Sequence, residues 1–118
     1  MLIKGWHSRP VFSAPTTAAT TAKLCDLSAA QTEDAIGIAC TQASGLIAAQ
    51  YKGSVKRIQH VFAARNGLLR ALLARGKYSG IKKVFKRPYG GFLAMFSLGL
   101  KYKPQYKVEE VVKGLSKL

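Results

Sequence analysis

Lys56 and His60 are the residues of this 118-residue chain whose types and spacing best suit chemistry. They stand four positions apart in GSVKRIQHVFAARNGLL, residues 53–69, so a helical backbone would place both on one face. A lysine ammonium attracts anions and, when partly desolvated, can donate a proton, while a histidine serves as acid or base near neutral pH. A solvated basic turn explains the same spacing, so the pair by itself is only a weak indication of an anion site.

Two other groups of residues could bind an anion. His7 follows Trp6 in KGWHS, where a partly buried histidine packed by the tryptophan is the ordinary interpretation. A basic cluster is formed by Lys82, Lys83, Lys86 and Arg87, and its ordinary interpretation is a solvated face. Helix-turn-helix, RNP-like and zinc-finger patterns are missing, so nucleic-acid binding would depend on electrostatics alone. A membrane-surface helix here would be interrupted by Pro88 and two glycines, and no serine-hydrolase, Walker or H-E-x-x-H motif occurs.

The positive charge is concentrated in the middle of the chain. The net charge is +14, and no Asp or Glu occurs between residues 35 and 107. Such a field attracts phosphates, anionic lipid headgroups or carboxylate substrates, and its sign does not choose among them.

The composition favours helices, because Ala, Leu and Gly dominate and aromatic or β-branched runs are few. The first predicted helix covers residues 13–27, with Ser13 as its cap and Pro15 in its first turn. A second begins with a capping box of Ser28 and Gln31 and continues with an apolar stripe of Ile36, Cys40, Ala43 and Ile47.

A third helix is predicted through HVFAARNGLLRALLAR, residues 60–75, and Gly76 is a natural stop. Its predicted apolar face consists of Val61, Ala64, Leu68 and Leu72, flanked by Phe62, Leu69 and Leu73. We expect a short amphipathic helix before Pro88, a brief apolar segment after Gly91, a loop in LKYKPQYK and a short helix in VEEVVKGLSKL. These faces do not close on one another, which predicts an all-α chain that is part of a larger fold.

Cysteine spacing and hydropathy indicate the redox state of the thiols and the cellular location of the protein. Cys25 and Cys40 show no paired spacing, which indicates reduced, buried thiols rather than a disulfide framework or a zinc site. The longest uncharged stretch, residues 35–51, contains several polar residues and is a poor membrane span. No signal-peptide core follows the N-terminus, so a cytoplasmic or mitochondrial location is expected.

The run SAAQTEDAIGIACTQASGLIAAQYKGSVKRIQHVFAARNGLLRALLARGKYSGIKKVFKRPYGGFLAMF closely resembles the MmgE/PrpD family. GWHSRPVFSAPTTAATTAKL resembles its Gly-x-His segment with the following helix, and YKVEEVVKGL resembles its continuation. The resemblance spans roughly residues 5–115. It implies a cofactor-independent lyase acting on tricarboxylates, either decarboxylating cis-aconitate to itaconate or dehydrating 2-methylcitrate.

The resemblance also implies roles for particular residues. His7 corresponds to an active-site histidine, and Lys56 and His60 in KRIQH correspond to an active-site lysine and histidine, while Arg57 adds to the positive field around the substrate. No metal is implied. The implied fold is a large all-helical domain joined to a smaller α/β domain, commonly dimeric.

The chain departs from the family in ways that matter for activity. It lacks the upstream Asp- and His-bearing segment, the downstream Lys- and His-bearing motif and the small domain. Residues 1–118 are therefore expected to be a partial helical domain with little or no turnover alone. Two alternatives remain open: a non-catalytic basic module that binds nucleic acid or anionic membrane, and a partner that forms homo-oligomers or pairs with a full-length relative.

Overall fold

A computed structural model describes residues 5–96 of the chain, which form five helices. They are α1 (Ser8–Leu24), α2 (Ala29–Cys40), α3 (Ala49–Lys52), α4 (Val55–Arg75) and α5 (Phe92–Phe96). The described residues contain no strand, and their single β-bridge joins Trp6 to Leu46. The all-α prediction is confirmed for this part of the chain. LKYKPQYK and VEEVVKGLSKL lie outside the described residues.

Helix α1 begins at Ser8, five residues before the start predicted from Ser13. Ser13 is not a cap, because its hydroxyl lies inside the helix and donates to the Arg9 carbonyl at 2.7 Å. The earlier start places Pro10 in the first turn, where its missing N–H costs no helical hydrogen bond. Pro15 therefore lies inside the helix instead of in its first turn. The prediction that α1 reaches residue 27 is also wrong, since the helix ends at Leu24.

The predicted capping box at the start of α2 is confirmed. The Gln31 amide donates to the Ser28 hydroxyl at 3.2 Å, and the Ser28 amide donates to the Gln31 side chain at 3.1 Å. The prediction that this helix continues to Ala43 and Ile47 is wrong, because α2 ends at Cys40. Ile36, Cys40 and Ala43 nevertheless pack against one apolar cluster. The residues after α2 are held by tertiary hydrogen bonds. The Ile47 amide, for example, donates to the Gly5 carbonyl at 2.9 Å.

Helix α4 begins at Val55 and ends at Arg75, with Gly76 as its C-cap. The predicted stop is confirmed, and the start lies five residues before the predicted one. The predicted apolar face is wrong, because small residues form the buried side: Ala63, Gly67, Ala71 and Ala74. A Cβ at Gly67 would lie 2.6 Å from the Thr17 Cβ and still closer to the Ala14 carbonyl oxygen. Close contact between two helix backbones therefore decides which face of α4 is buried.

The large apolar residues of α4 are exposed. Val61 is 63% exposed, and the relative exposure of its neighbours on the same side is 45–49%: Phe62, Leu68, Leu69 and Leu72. At 100° per residue this apolar side lies roughly opposite the buried one. We call it the outer face of α4.

Two apolar clusters hold the described residues together. One is formed by alanines of α1, α2 and α4: Ala18, Ala22, Ala35, Ala39, Ala71 and Ala74. The other joins Val11 to residues after α4: Val84, Phe92 and Phe96. The second cluster places α5 against the N-terminal part of α1, next to the segment that carries His7.

The helix predicted before Pro88 is absent, and residues 82–86 form turns. The carboxylate of Asp34 on α2 accepts hydrogen bonds from the Gly80 amide at 2.9 Å and from the Lys82 ammonium. Glu33 accepts one from the Lys83 amide at 3.0 Å. These carboxylates accept hydrogen bonds from backbone amides that would otherwise be available to a helix, and they hold the turns in place. The apolar segment after Gly91 forms α5.

Candidate active site

His7 and His60 are neighbours, although 53 positions separate them in the sequence. Their ring centroids are 5.4 Å apart with planes at 70°. His7 precedes α1 as its N-cap residue, and His60 lies in the second turn of α4. Trp6 packs against Phe96, at a centroid distance of 5.0 Å. His7 is buried, and its ring contact is with His60.

The backbone around His7 is fixed by residues 44–47. The His7 amide donates to the Gly45 carbonyl at 2.9 Å. The side chain of Gln59, adjacent to His60, accepts from the Leu46 amide at 2.9 Å and donates to the Leu46 carbonyl at 3.4 Å. A Cβ at Gly45 would lie 2.5 Å from the Pro10 Cγ. This loop therefore ties the start of α1 to the start of α4.

Lys56 lies one turn before His60 on α4, as the spacing predicts for a helical backbone. It shares with His7 a cavity of about 310 Å³. Six residues line this cavity: His7, Ser8, Arg9, Ile47, Gln50 and Lys56. We call it the histidine cavity. Its volume lies at the lower end of the range for small-molecule sites, roughly 300–1,000 Å³.

Arg57 is exposed and does not line the histidine cavity. Successive residues of a helix point about 100° apart, so Arg57 cannot share the direction of Lys56. The geometry thus brings together His7, Lys56 and His60 and leaves Arg57 at the side.

Positive charge surrounds the histidine cavity and favours an anion there. Burial lowers the pKa of His7 below its ordinary value, and the charges of His60, Arg9 and Lys56 lower it further. His7 is 8% exposed, and its Nδ1 has no hydrogen-bond partner within the described residues. None of the described residues that line the cavity is Asp or Glu. A bound anion would offset the surrounding positive charge.

Sequence reasoning missed four residues of the cavity: Ser8, Arg9, Ile47 and Gln50. Arg9 was the most accessible to prediction, because it lies two residues from His7 and in the first turn of α1. No local sequence pattern indicated Ile47 or Gln50. They reach the cavity because the loop after α2 and helix α3 fold back toward His7.

The basic cluster of residues 82–87 is held by specific contacts. Lys82 forms an ion pair with Asp34, and the Arg87 Nε donates to the Lys82 carbonyl at 2.9 Å. The hydrogen bonds to Gly80 and Lys82 lower the pKa of Asp34. The cluster is thus a charged surface, as in its ordinary interpretation, and it also helps to hold the turns after α4 against α2.

The described residues also bear on metal ligation and on membrane-spanning helices. No group of three potential metal-ligating side chains occurs between residues 5 and 96. Across the same range, no helix is long and apolar enough to span a membrane. Cys25 and Cys40 are free and partly buried, and burial raises the pKa of Cys40 to about 12.

Comparisons with known proteins place this geometry in a family context. Residues 2–105 match the MmgE/PrpD N-terminal domain. The chain is 63% identical over 117 residues to the cis-aconitate decarboxylase-like protein oryM of Aspergillus oryzae, covering 99% of this chain and 24% of that protein. It is 57% identical over 115 residues to cis-aconitate decarboxylase of Aspergillus terreus, covering 98% and 24% respectively. The chain therefore spans about a quarter of the length of the curated relatives it matches.

Proposed function

The chain belongs to the MmgE/PrpD family, and we propose that it forms part of a tricarboxylate site of a cofactor-independent lyase. The observation that carries the proposal is the buried His7 ring, which lies beside His60 in a cavity shared with Lys56. Its Nδ1 has no hydrogen-bond partner within the described residues. The names of two relatives favour cis-aconitate as the substrate over 2-methylcitrate.

The roles of the residues follow from their charges and positions. Lys56 neutralises a substrate carboxylate and stabilises negative charge that develops in the transition state. Decarboxylation breaks a carbon–carbon bond, releases carbon dioxide and leaves an electron pair on carbon that must receive a proton. A histidine suits that transfer, because its pKa can be brought near neutral pH. A bound polyanion raises the pKa of His7 toward that range, so substrate binding itself promotes protonation of the ring.

We propose that the residues of this chain form only part of a complete catalytic site. Lys56 is exposed at one side of the cavity, and residues supplied by the family's other segments would close it. Residues 1–118 accordingly form a partial helical domain with little or no turnover alone. A measurable rate of itaconate formation by the purified chain, with matching carbon dioxide release, would overturn this part of the proposal.

Histidine NMR tests the proposed binding site directly, because the chain has only two histidines. Both ring signals should shift on addition of cis-aconitate, and the pKa of His7 should rise. Lys56→Ala should weaken binding about ten- to a hundredfold, the effect expected for one charge-assisted hydrogen bond.

Arg75→Ala is the matched control for loss of one positive charge. It lies nineteen residues farther along α4, about 28 Å from Lys56 at 1.5 Å per residue. Equal losses of affinity in the two variants would indicate unspecific charge attraction. Binding that leaves both histidine signals unchanged would also contradict the proposed site.

Pairing with a full-length MmgE/PrpD relative is a second candidate function, favoured by the outer face of α4. Contiguous exposed apolar surface of this kind marks sites of association. The net charge of +14 opposes association of two copies of this chain. Helices of a relative's helical domain are therefore the better candidates to cover this face.

Sedimentation of the chain mixed with the Aspergillus terreus decarboxylase tests the pairing. We expect a complex that is weakened by Leu68→Gln combined with Leu72→Gln. Leu24→Gln is the control, because Leu24 is more exposed and lies at the end of α1. Independent sedimentation of the two wild-type proteins would refute the pairing.

A further inference from the structure

Arg9 projects from the first turn of α1 and lines the histidine cavity together with Lys56. Among the described residues, these are the two cationic side chains of the cavity apart from the histidine, and they come from different helices. Within the described residues, neither forms an ion pair. Both contribute to lowering the pKa of His7, so their charges act at the buried ring.

The start of α1 adds further groups that suit an anion. The first turn contains no acidic residue, and no side chain caps it by a hydrogen bond. The first amide groups of a helix lack partners within the helix and carry the positive end of its dipole. Ser8 contributes a hydroxyl that lines the cavity, whereas Pro10 contributes no N–H.

The buried His7 ring is an independent observation that points to a ligand. Its Nδ1 has no partner within the described residues. A buried polar atom without a partner costs free energy, and a bound hydroxyl, carboxylate or water would satisfy it. Within the part of the chain that the structure describes, the same cavity therefore combines a ring nitrogen without a hydrogen-bond partner and two cations without an ion pair.

We propose that Arg9 is a carboxylate-binding residue that makes this site selective for three carboxylates over two. The inference deepens the proposed function and rests on it. The Arg9 guanidinium, with Ser8 and the start of α1, holds one carboxylate, while Lys56 holds another. A guanidinium donates two parallel hydrogen bonds to a carboxylate, a geometry that a lysine does not reproduce. The third carboxylate lies toward the two histidines.

Affinities for two unreactive probes test the inference by calorimetry. Propane-1,2,3-tricarboxylate has three carboxylates, and glutarate has the same five-carbon chain without the central one. The wild-type chain should prefer the tricarboxylate. Arg9→Gln should reduce tricarboxylate affinity at least tenfold and remove most of the preference, whereas Arg9→Lys should restore only part of it.

Lys23→Gln is the matched control, because it removes one exposed positive charge from the last turn of the same helix. It lies fourteen residues from Arg9, about 21 Å along α1. Its affinities for both probes should stay close to those of the wild type. Circular dichroism spectra of all variants should coincide, since Arg9 and Lys23 are exposed.

The outcomes separate this inference from the proposed function. An unchanged preference in Arg9→Gln, with affinity still lost in Lys56→Ala, overturns the role of Arg9 and leaves the proposed site standing. A loss in Lys23→Gln equal to that in Arg9→Gln also overturns it, because charge alone would then explain binding. Failure of the wild-type chain to bind either probe or cis-aconitate overturns both.

Discussion

Gly67→Ala tests whether close contact between α1 and α4 is what organises the molecule. The new Cβ would lie 2.6 Å from the Thr17 Cβ and 2.8 Å from the Ala18 nitrogen, and closer still to the Ala14 carbonyl oxygen. Ordinary contacts of a Cβ are 3.4–4 Å. The helices must therefore separate by about 1 Å, because backbone atoms cannot turn aside as a side chain can.

The magnitude follows from two opposing effects. Overpacking of this kind costs about 1–3 kcal/mol, and contact with backbone places Gly67→Ala at the upper end. The higher helix propensity of alanine offsets about 1 kcal/mol. The expected net loss in the free energy of unfolding is about 2 kcal/mol, or a fall of about 8 °C in Tm for a chain of this size.

Urea and thermal unfolding followed by circular dichroism provide the measurement. Gly76→Ala is the control, because it makes the same chemical change at the C-cap of α4. Gly76 has φ −79°, and its nearest contact would be 3.3 Å to the Leu73 carbonyl. Its unfolding free energy should change by less than about 1 kcal/mol. Equal or greater stability in Gly67→Ala would refute the packing argument.

Four further results are expected. The pKa of His7 is lowered in the folded chain, so the unfolded chain binds more protons below about pH 6.5. The free energy of unfolding should therefore fall as the pH drops through about 6.5, and His7→Gln should remove this pH dependence in urea titrations. The pKa of Asp34 is lowered in the folded chain, so its charge stabilises the fold at pH values above the ordinary pKa of Asp, about 4. Asp34→Asn should therefore remove the loss of stability that the wild type shows below about pH 4. Ser28→Ala should cost about 1 kcal/mol in thermal unfolding, and no loss would contradict the role of the capping box. Cys40 should react with iodoacetamide only after unfolding, since burial raises its pKa to about 12; rapid modification of the native chain would contradict this.

Local sequence determined the features that depend on neighbouring residues. Ser28 and Gln31 predicted the start of α2, because a capping box forms within four residues. Gly76 predicted the end of α4. The shared face of Lys56 and His60 also followed from spacing, because the helical period relates residues four apart once the backbone is helical.

Tertiary structure decided which faces are buried and which site residues meet. The large apolar side chains of α4 predicted the wrong face, because close packing against α1 requires small residues such as Gly67. The resemblance assigned His7 and His60 to one active site, but periodicity and spacing did not predict that their rings are in contact. Nothing in the sequence predicted that Arg9 joins Lys56 in one cavity. Those contacts depend on how α1 and α4 cross and on the loop at residues 44–47. Helical periodicity describes one helix at a time, whereas the distance between side chains on two helices is set by the packing between them.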